Sequence, residues 1–414
     1  MTDMAGTVPV IAVDKVQAVA LAVCTYYFGL WLKGKVGVLS RYSIPSPVVG
    51  GMSFAIVVSF LEYFNIVKVQ IDSTLQTVLM LGFFTTIGLM ASLRVVKDGG
   101  RLLLGFLLAV TVLVFLQNGM GMAIAEAMGF DKHYGILAGS VSMMGGLGTA
   151  AAFGPYFEET YGITGGTAVA VTAATFGMVA ALLIGGPFGE WCIRRYKVKT
   201  PDEVQQPEPE LHLPDDMDTD ITEQHASAKP NFTNEIMRAV SVTALAMGLG
   251  TIVSNFLGHY ITLPAYIGAM IVATVIRNVG DFSGMYKVEG KGLNAVADIT
   301  LVLFVTMAIN NLKLHELVHL ALPLVVILAC QTILMLIYAW TVLFTAFGRS
   351  YDAVMLSVGG IGFSMGATAN GLANMQAISE KYGSSPRAWL IVSVVGAFLI
   401  DLINAVVITW FGTL

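Results

Sequence analysis

Charge is scarce in this chain. Only 12% of its 414 residues are Asp, Glu, Lys or Arg, about half of the ~25% that a soluble globular protein carries. With 56% apolar residues and a mean hydropathy of +0.76, the surface of a 44.1 kDa globule could not be wetted. A soluble enzyme or binding module is excluded, and the sequence reads as an integral membrane protein. Cysteine is scarce too. Cys24, Cys192 and Cys330 stand far apart in apolar surroundings, without a disulfide framework or metal-ligand spacing. The N-terminus, MTDMAGTVPV, lacks the basic segment of a cleavable signal, so the first apolar run is expected to stay in the membrane. No ATP-hydrolysis motif and no nucleophile–base pair are visible, which leaves a gradient-driven machine and no enzyme. The net charge of −5 argues against a basic nucleic-acid binder, and no nucleic-acid partner is expected.

The acidity itself is local. Residues 200–230 hold nine acids against Lys229, and the rest of the chain has 21 basic and 18 acidic residues. With five prolines, residues 196–235 cannot bury enough surface to fold alone. They read as a cytoplasmic connector between two halves, 1–195 and 236–414.

A helix needs about 20 apolar residues to cross a bilayer. Such runs occur at 12–32, 47–67, 73–93, 102–126 and 165–193, then at 236–257, 262–280, 293–312, 317–346 and 387–412. Two more apolar stretches, 134–155 and 351–376, are crowded with Gly, Ser and Thr. If neither crosses and both termini lie outside, eighteen Lys and Arg fall inside and only Lys15, Lys68, Lys132 and Lys313 outside, as the positive-inside rule requires. The first stretch then enters and leaves from outside, the second from inside.

The halves also repeat. Ile44-Pro-Ser-Pro47-x3-Gly51 matches Ile261-Thr-Leu-Pro264-x3-Gly268 at an offset of 217. Ser92-Leu-Arg94 matches Asn311-Leu-Lys313 at 219, Gly177 matches Gly396 at 219, and Glu159-Thr-Tyr-Gly162 matches Glu380-Lys-Tyr-Gly383 at 221. Five crossings per half is an odd number, so the second half runs inverted, a pattern common among secondary transporters. The expected fold is all-α and polytopic: two inverted-topology repeats, each of five transmembrane helices plus one re-entrant hairpin.

The two odd stretches carry the chemistry. The first reads Ser140-Val-Ser-Met-Met-Gly145-Gly-Leu-Gly-Thr149 and the second Gly359-Gly-Ile-Gly-Phe-Ser364-Met-Gly-Ala-Thr368-Ala-Asn370. Broken backbone at membrane depth is tolerated only where it faces protein or a wet cavity, and a broken helix there offers N–H groups to anions and carbonyls to cations. Glycines that merely let helices pack closely are the plainer reading of either stretch alone. Gly360-Ile-Gly362-x3-Gly366 is no dinucleotide fingerprint, since its spacing is wrong and no βαβ unit surrounds it.

Asp401 and Asn404 lie three residues apart in the last span, on one helix face. An acid at such depth costs about 2.5–3.5 kcal/mol on insertion scales, which marks a functional candidate. The matching positions of the first half are Leu182 and Gly185, so the pair is not a repeated architectural feature. Thr85, Thr86, Gln117, Asn118, Thr175, Asp298, Gln331 and Thr332 are the other intramembrane polar residues. Each either ligates an ion or bonds to a neighbouring helix. His133, His259, His315 and His319 fall in loops or at span ends.

Several blocks together resemble the sodium/glutamate symporter family over nearly the whole chain. They are Arg41-Tyr-x-Ile-Pro-x-Pro-Val-x-Gly-Gly51, Phe83-x-Thr-Thr-Ile-Gly-Leu89, Ala138-Gly-Ser, Gly146-x-Gly-Thr149 and Ala174-Thr-Phe-Gly177 in the first half. In the second they are Tyr351-Asp-Ala, Gly366-Ala-Thr368, Ala373-Asn-Met-Gln-Ala-Ile378 and Val395-Gly-Ala-Phe-x-Ile-Asp-x-x-Asn404. The resemblance implies uptake of glutamate across a bacterial inner membrane, with sodium as the coupling ion. It also implies re-entrant loops that meet at the site, and a homodimer whose transport domains move in an elevator-like way against a fixed scaffold. The family carries histidine in the first loop where Leu147 stands here. On this footing Ser142, Gly145, Gly146, Gly148, Thr149, Ser364, Gly366, Thr368 and Asn370 are expected to hold substrate carboxylates. Asp401 is expected either to pair with the amino group or to ligate sodium, the other candidate sodium ligands being Asn404, Thr86, Asn118, Gln331 and Thr175. A proton-coupled carrier, or a carrier of another dicarboxylate or amino acid, is the alternative on the same scaffold.

Overall fold

The computed structural model describes residues 9–41, 44–94, 100–201, 232–257, 264–284, 286, 290–314 and 319–414. Most of the acidic connector, the segment 261–263 of the internal match, His259 and His315 lie outside the described residues.

Each apolar run becomes a helix. The first half gives α1 (Lys15–Lys35), α2 (Gly37–Arg41), α3 (Ser46–Tyr63), α4 (Thr74–Met90) and α5 (Gly100–Ala127). Next come α6 (Lys132–Ile136, continued by a wide turn over Leu137–Val141), α7 (Gly146–Tyr161) and α8 (Gly166–Tyr196). The second half gives α9 (Phe232–Leu257), α10 (Ala265–Ser283), α11 (Lys291–Asn310) and α12 (Ala321–Tyr338, continued over Ala339–Ala346). It closes with α13 (Tyr351–Ser364), α14 (Thr368–Tyr382) and α15, built from Pro386–Val394, Val395–Leu399 and Ile400–Gly412. Among the described residues, eight helices are long and apolar enough to cross a membrane, while α4 is apolar but shorter. The chain is thus a polytopic, helical membrane protein. Outward side chains such as Leu108 (67% exposed), Ile252 (66%) and Leu322 (70%) suit a lipid solvent.

One feature is not helical. Val10–Val13 pairs in parallel with Lys68–Ile71, Val10 opposite Lys68 and Val13 opposite Ile71. The ribbon joins the entries of α1 and α4. At the first of these, Asp14 caps α1 by accepting from the N–H groups of Val16 (2.8 Å) and Gln17 (3.0 Å), a capping box completed by Gln17.

The helices sort into two bundles by what they touch. The first holds α1, α3, α4, α9, α10 and α11; the second holds α5 to α8 and α12 to α15. Small residues permit the close crossings of the first bundle. A Cβ on Gly50 would run into the carbonyl of Thr25, and one on Gly268 would meet the Gly250 oxygen at 2.7 Å. The second bundle is filled by large buried side chains, among them Phe106, Leu113, Phe153, Phe157, Phe344 and Phe363. The bundles face each other where α11 meets α7 and α8, and where α4 and α10 meet α15.

The glycine-rich stretches form two helix–break–helix units inside the second bundle. In the first, Gly139 leaves helical geometry (φ −91°, ψ −129°) and the chain turns again before α7. The break strands the Ser140 N–H, from which Asn118 Oδ1 accepts (2.9 Å), and Asn404 Nδ2 donates to the Ser140 carbonyl (3.1 Å) beside the N–H groups of Met144 and Gly145. Gly139 has no side chain because its Cβ would lie 2.9 Å from Asn118 Oδ1. In the second unit Gln117 Nε2 donates to the Ser364 carbonyl (3.0 Å) where α13 ends. Adjacent residues of α5 therefore satisfy both breaks, as backbone polar groups at this depth require.

Candidate functional site

The two breaks meet at one cavity of about 300 Å³, at the lower end of the size that small-molecule sites occupy. Gly146 has φ +61°, and a Cβ there would lie 2.5 Å from the carbonyl oxygen of Gly366. The tips of the two units touch, and only glycine permits the contact. Gly177 of α8 is held equally close to the Met365 carbonyl.

Helix α7 starts at Gly146 and α14 at Thr368, and neither start has a side-chain cap. The N–H groups of Leu147, Gly148, Thr368 and Ala369 have no acceptor among the described residues. Gly146, Leu147, Gly148 and Thr368 all line the cavity. Each helix start carries roughly +0.5 of an elementary charge and uncommitted donors, which is an anion-binding arrangement. Of the cavity-lining residues none is Lys, Arg or His, so positive potential there comes from backbone alone. Asp401 is the one acid in the lining, and it makes no hydrogen bond to the described residues. Thr149 also lines the cavity, whereas Thr368 donates its hydroxyl proton to the Gly396 carbonyl.

Of the residues expected to hold substrate, Gly145, Gly146, Gly148, Thr149, Gly366, Thr368 and Asp401 line the cavity. Ser142, Ser364 and Asn370 do not. Ser142 is fully buried and shares its hydroxyl proton between the carbonyls of Leu137 (2.5 Å) and Ala170 (2.7 Å). Asn370 Nδ2 donates to the Met178 carbonyl (3.0 Å), tying α14 to α8. Of the residues expected around sodium, Asn118 and Asn404 converge on Ser140, and Gln331 Nε2 donates to the Gln117 carbonyl (2.7 Å). Thr86 and Thr175 lie outside the cavity lining, their hydroxyls bonded to their own helices at Phe83 (2.7 Å) and Val171 (2.8 Å).

The far wall is apolar and belongs to the first bundle: Phe83 and Ile87 from α4, and Leu301, Val302 and Val305 from α11. Pro45 and Pro47, at the entry of α3, complete it, and the second bundle adds Met144, Leu147, Met178 and Phe363. Phe83, Pro45 and Pro47 stand in the sequence blocks noted above. Nothing in a uniformly apolar span distinguishes Leu301, Val302 and Val305.

Comparison with known proteins gives the family. The family model described as sodium/glutamate symporter matches residues 11–384. The sodium/glutamate symporter of Escherichia coli is 37% identical over 400 residues, covering 95% of this chain and 96% of the relative. That of Haemophilus influenzae is 34% identical over 395 residues, covering 94% and 95%. With two uncapped helix starts and one carboxylate lining the same cavity, and with these relatives matched over nearly their whole length, the chain belongs to the sodium/glutamate symporter family.

Proposed function

We propose that this protein is a secondary active transporter that brings glutamate into the cell together with sodium. The observation that carries the reading is the charge pattern of the cavity: two uncapped helix starts and one carboxylate. Glutamate presents two carboxylates and one ammonium, the complementary set. In this assignment the N–H groups of Leu147 and Gly148 hold one carboxylate with help from the Thr149 hydroxyl, and those of Thr368 and Ala369 hold the other. Asp401 takes the ammonium. Gly145, Gly146 and Gly366 let the backbone approach, while Ser142, Ser364 and Asn370 brace the breaks from behind. Sodium, a hard cation, takes oxygen ligands, and buried Asn118, Asn404 and Gln331 are assigned to its surroundings.

Alternating access follows from the wall composition. The second bundle owns every polar group of the cavity, and the first contributes apolar side chains only. We assign elevator-like motion to the second bundle, carrying the site along that smooth wall, with the first bundle as scaffold of a homodimer. The halves 1–195 and 236–414 are inverted repeats, their hairpins at 134–155 and 351–376 re-entrant. Close glycine crossings in both halves, Gly50 against the Thr25 carbonyl and Gly268 against that of Gly250, are in keeping with the repeat. Both termini lie on the outer side of the inner membrane, as the distribution of Lys and Arg supports.

Uptake of radiolabelled glutamate into proteoliposomes tests the reading. An inward sodium gradient should drive accumulation above equilibrium, and a potassium gradient should not. Equal uptake under both would remove the coupling assignment, and none under either, with folded protein, would remove the substrate.

A further inference from the structure

Three side-chain oxygens lie behind the cavity, outside its lining. Gln117 of α5 and Gln331 of α12 are 1% exposed, and Ser364 at the end of α13 is fully buried. Each amide nitrogen is bonded to a backbone oxygen, Gln117 Nε2 to the Ser364 carbonyl and Gln331 Nε2 to the Gln117 carbonyl. These two bonds chain the three residues together. Gln117 Oε1, Gln331 Oε1 and Ser364 Oγ are left without a hydrogen-bond partner among the described residues.

A buried acceptor left unmade costs about 1–3 kcal/mol, so three on residues linked by two hydrogen bonds call for an explanation. Rotating either amide by 180° is no remedy, because it would set an amide oxygen against a backbone carbonyl in place of the existing bond. All three unpartnered atoms are oxygens, with one hydroxyl hydrogen among them. It also sits at the C-terminal end of α13, where carbonyls lack helical partners and the dipole is negative. Oxygen ligands, negative potential and exclusion from the cavity describe a site for a dehydrated hard cation. Among the described residues no group of three His, Cys, Asp or Glu could hold a softer metal. The neighbouring cluster at Ser140 differs, since its unmatched atoms include a donor, Asn118 Nδ2, beside Ser140 Oγ and Asn404 Oδ1. A water molecule serves a mixed set of that kind.

We propose that Gln117 Oε1, Gln331 Oε1 and Ser364 Oγ, with the last carbonyls of α13, form a coupling-sodium site separate from Asp401. The proposal rests on the sodium-coupled reading above and gives it a mechanism. The same break that ends α13 at Ser364 begins α14 at Thr368. A cation on the carbonyl side of the break fixes it, and so orients the N–H groups of Thr368 and Ala369 toward the anion. Sodium therefore binds first and raises the affinity for substrate.

The test uses the purified full-length protein without glutamate. Its thermal unfolding midpoint is measured against sodium chloride, with choline chloride holding ionic strength constant. Glutamate uptake against sodium is measured in parallel. Wild-type protein should be stabilised by sodium and not by choline. Gln331→Met and Ser364→Ala should raise the half-saturating sodium concentration tenfold or more in both assays, with glutamate KM at saturating sodium within twofold of wild type. Thr332→Val, which removes a hydroxyl bonded to its own helix at Leu328, should titrate as wild type. Should Gln331→Met and Ser364→Ala fail to fold, Gln331→Glu keeps the size and adds charge, and should lower the sodium midpoint severalfold. Wild-type midpoints in Gln331→Met and Ser364→Ala, or an unchanged one in Gln331→Glu, would overturn the site. So would sodium-driven uptake by a protein that sodium does not stabilise, since the oxygens then hold water. Stabilisation by sodium without sodium-driven uptake would keep the site and remove the coupling reading.

Discussion

Asp401→Asn removes the one acid that lines the cavity while keeping its shape. If the carboxylate faces the substrate ammonium, the variant exchanges a charge-assisted hydrogen bond for a neutral one. Hydrogen bonds to charged groups contribute about 1.5–3 kcal/mol, which corresponds to a roughly 10- to 150-fold loss of glutamate affinity. The cavity is walled by Phe83, Leu301, Val302 and Val305, so little water is present to screen the pair, and the upper half of that range is expected. Competition with glutarate, which keeps both carboxylates and lacks the amino group, isolates the ammonium. Wild-type protein should prefer glutamate strongly, and Asp401→Asn should bind the two nearly alike, its glutarate affinity unchanged or improved. Equal loss of both ligands, with a raised sodium requirement, would refute the assignment and move Asp401 to the cation. Unchanged glutamate affinity would remove Asp401 from the site altogether.

Other outcomes follow from the same geometry. Gly146→Ala forces a Cβ toward the Gly366 oxygen at φ +61°, with a backbone cost of about 1–2 kcal/mol before the clash, so uptake should fall at least tenfold while the protein still elutes as folded. Asn118→Leu strands the Ser140 N–H and should cost about 1–3 kcal/mol in chemical denaturation, whereas Asn404→Leu removes one of three donors to the Ser140 carbonyl, which keeps the N–H groups of Met144 and Gly145, and should cost about 0.5–1.5 kcal/mol. The double variant should cost less than the sum, because both side chains act on the same break at Ser140. Glu190→Gln should be nearly silent in uptake and stability. Its partners Arg194 (3.3 Å) and Lys381 (2.7 Å) form exposed ion pairs, which contribute about 0–1 kcal/mol.

The helices were legible in the sequence because a bilayer admits few alternatives. The runs 102–126, 165–193 and 387–412 became Gly100–Ala127, Gly166–Tyr196 and Pro386–Gly412, since about 20 apolar residues without water have no other way to satisfy their backbone. The breaks were legible as clusters of glycine, because a chain that leaves helical geometry between packed neighbours has no room for Cβ atoms at Gly139 and Gly146. Asp401 stood out by the cost of its charge.

Which of these residues face a common space was decided by tertiary structure. Ser142 and Ser364 belong to the same glycine-rich stretches as Gly145 and Gly366, yet a turn of broken helix sends their hydroxyls into the bundle and away from the cavity. Leu301, Val302 and Val305 carry no mark of their role, for apolar side chains facing lipid, core or ligand look alike in a span. The ribbon of Val10–Val13 with Lys68–Ile71 depends on a partner beyond three intervening helices, a pairing that no local pattern encodes. The sequence alone determined a membrane-embedded chain with two breaks and an acid deep in its last span. Only the packing of α7, α14 and α15 brought those breaks and that acid to one cavity, because direction and distance between helix ends depend on how whole helices cross.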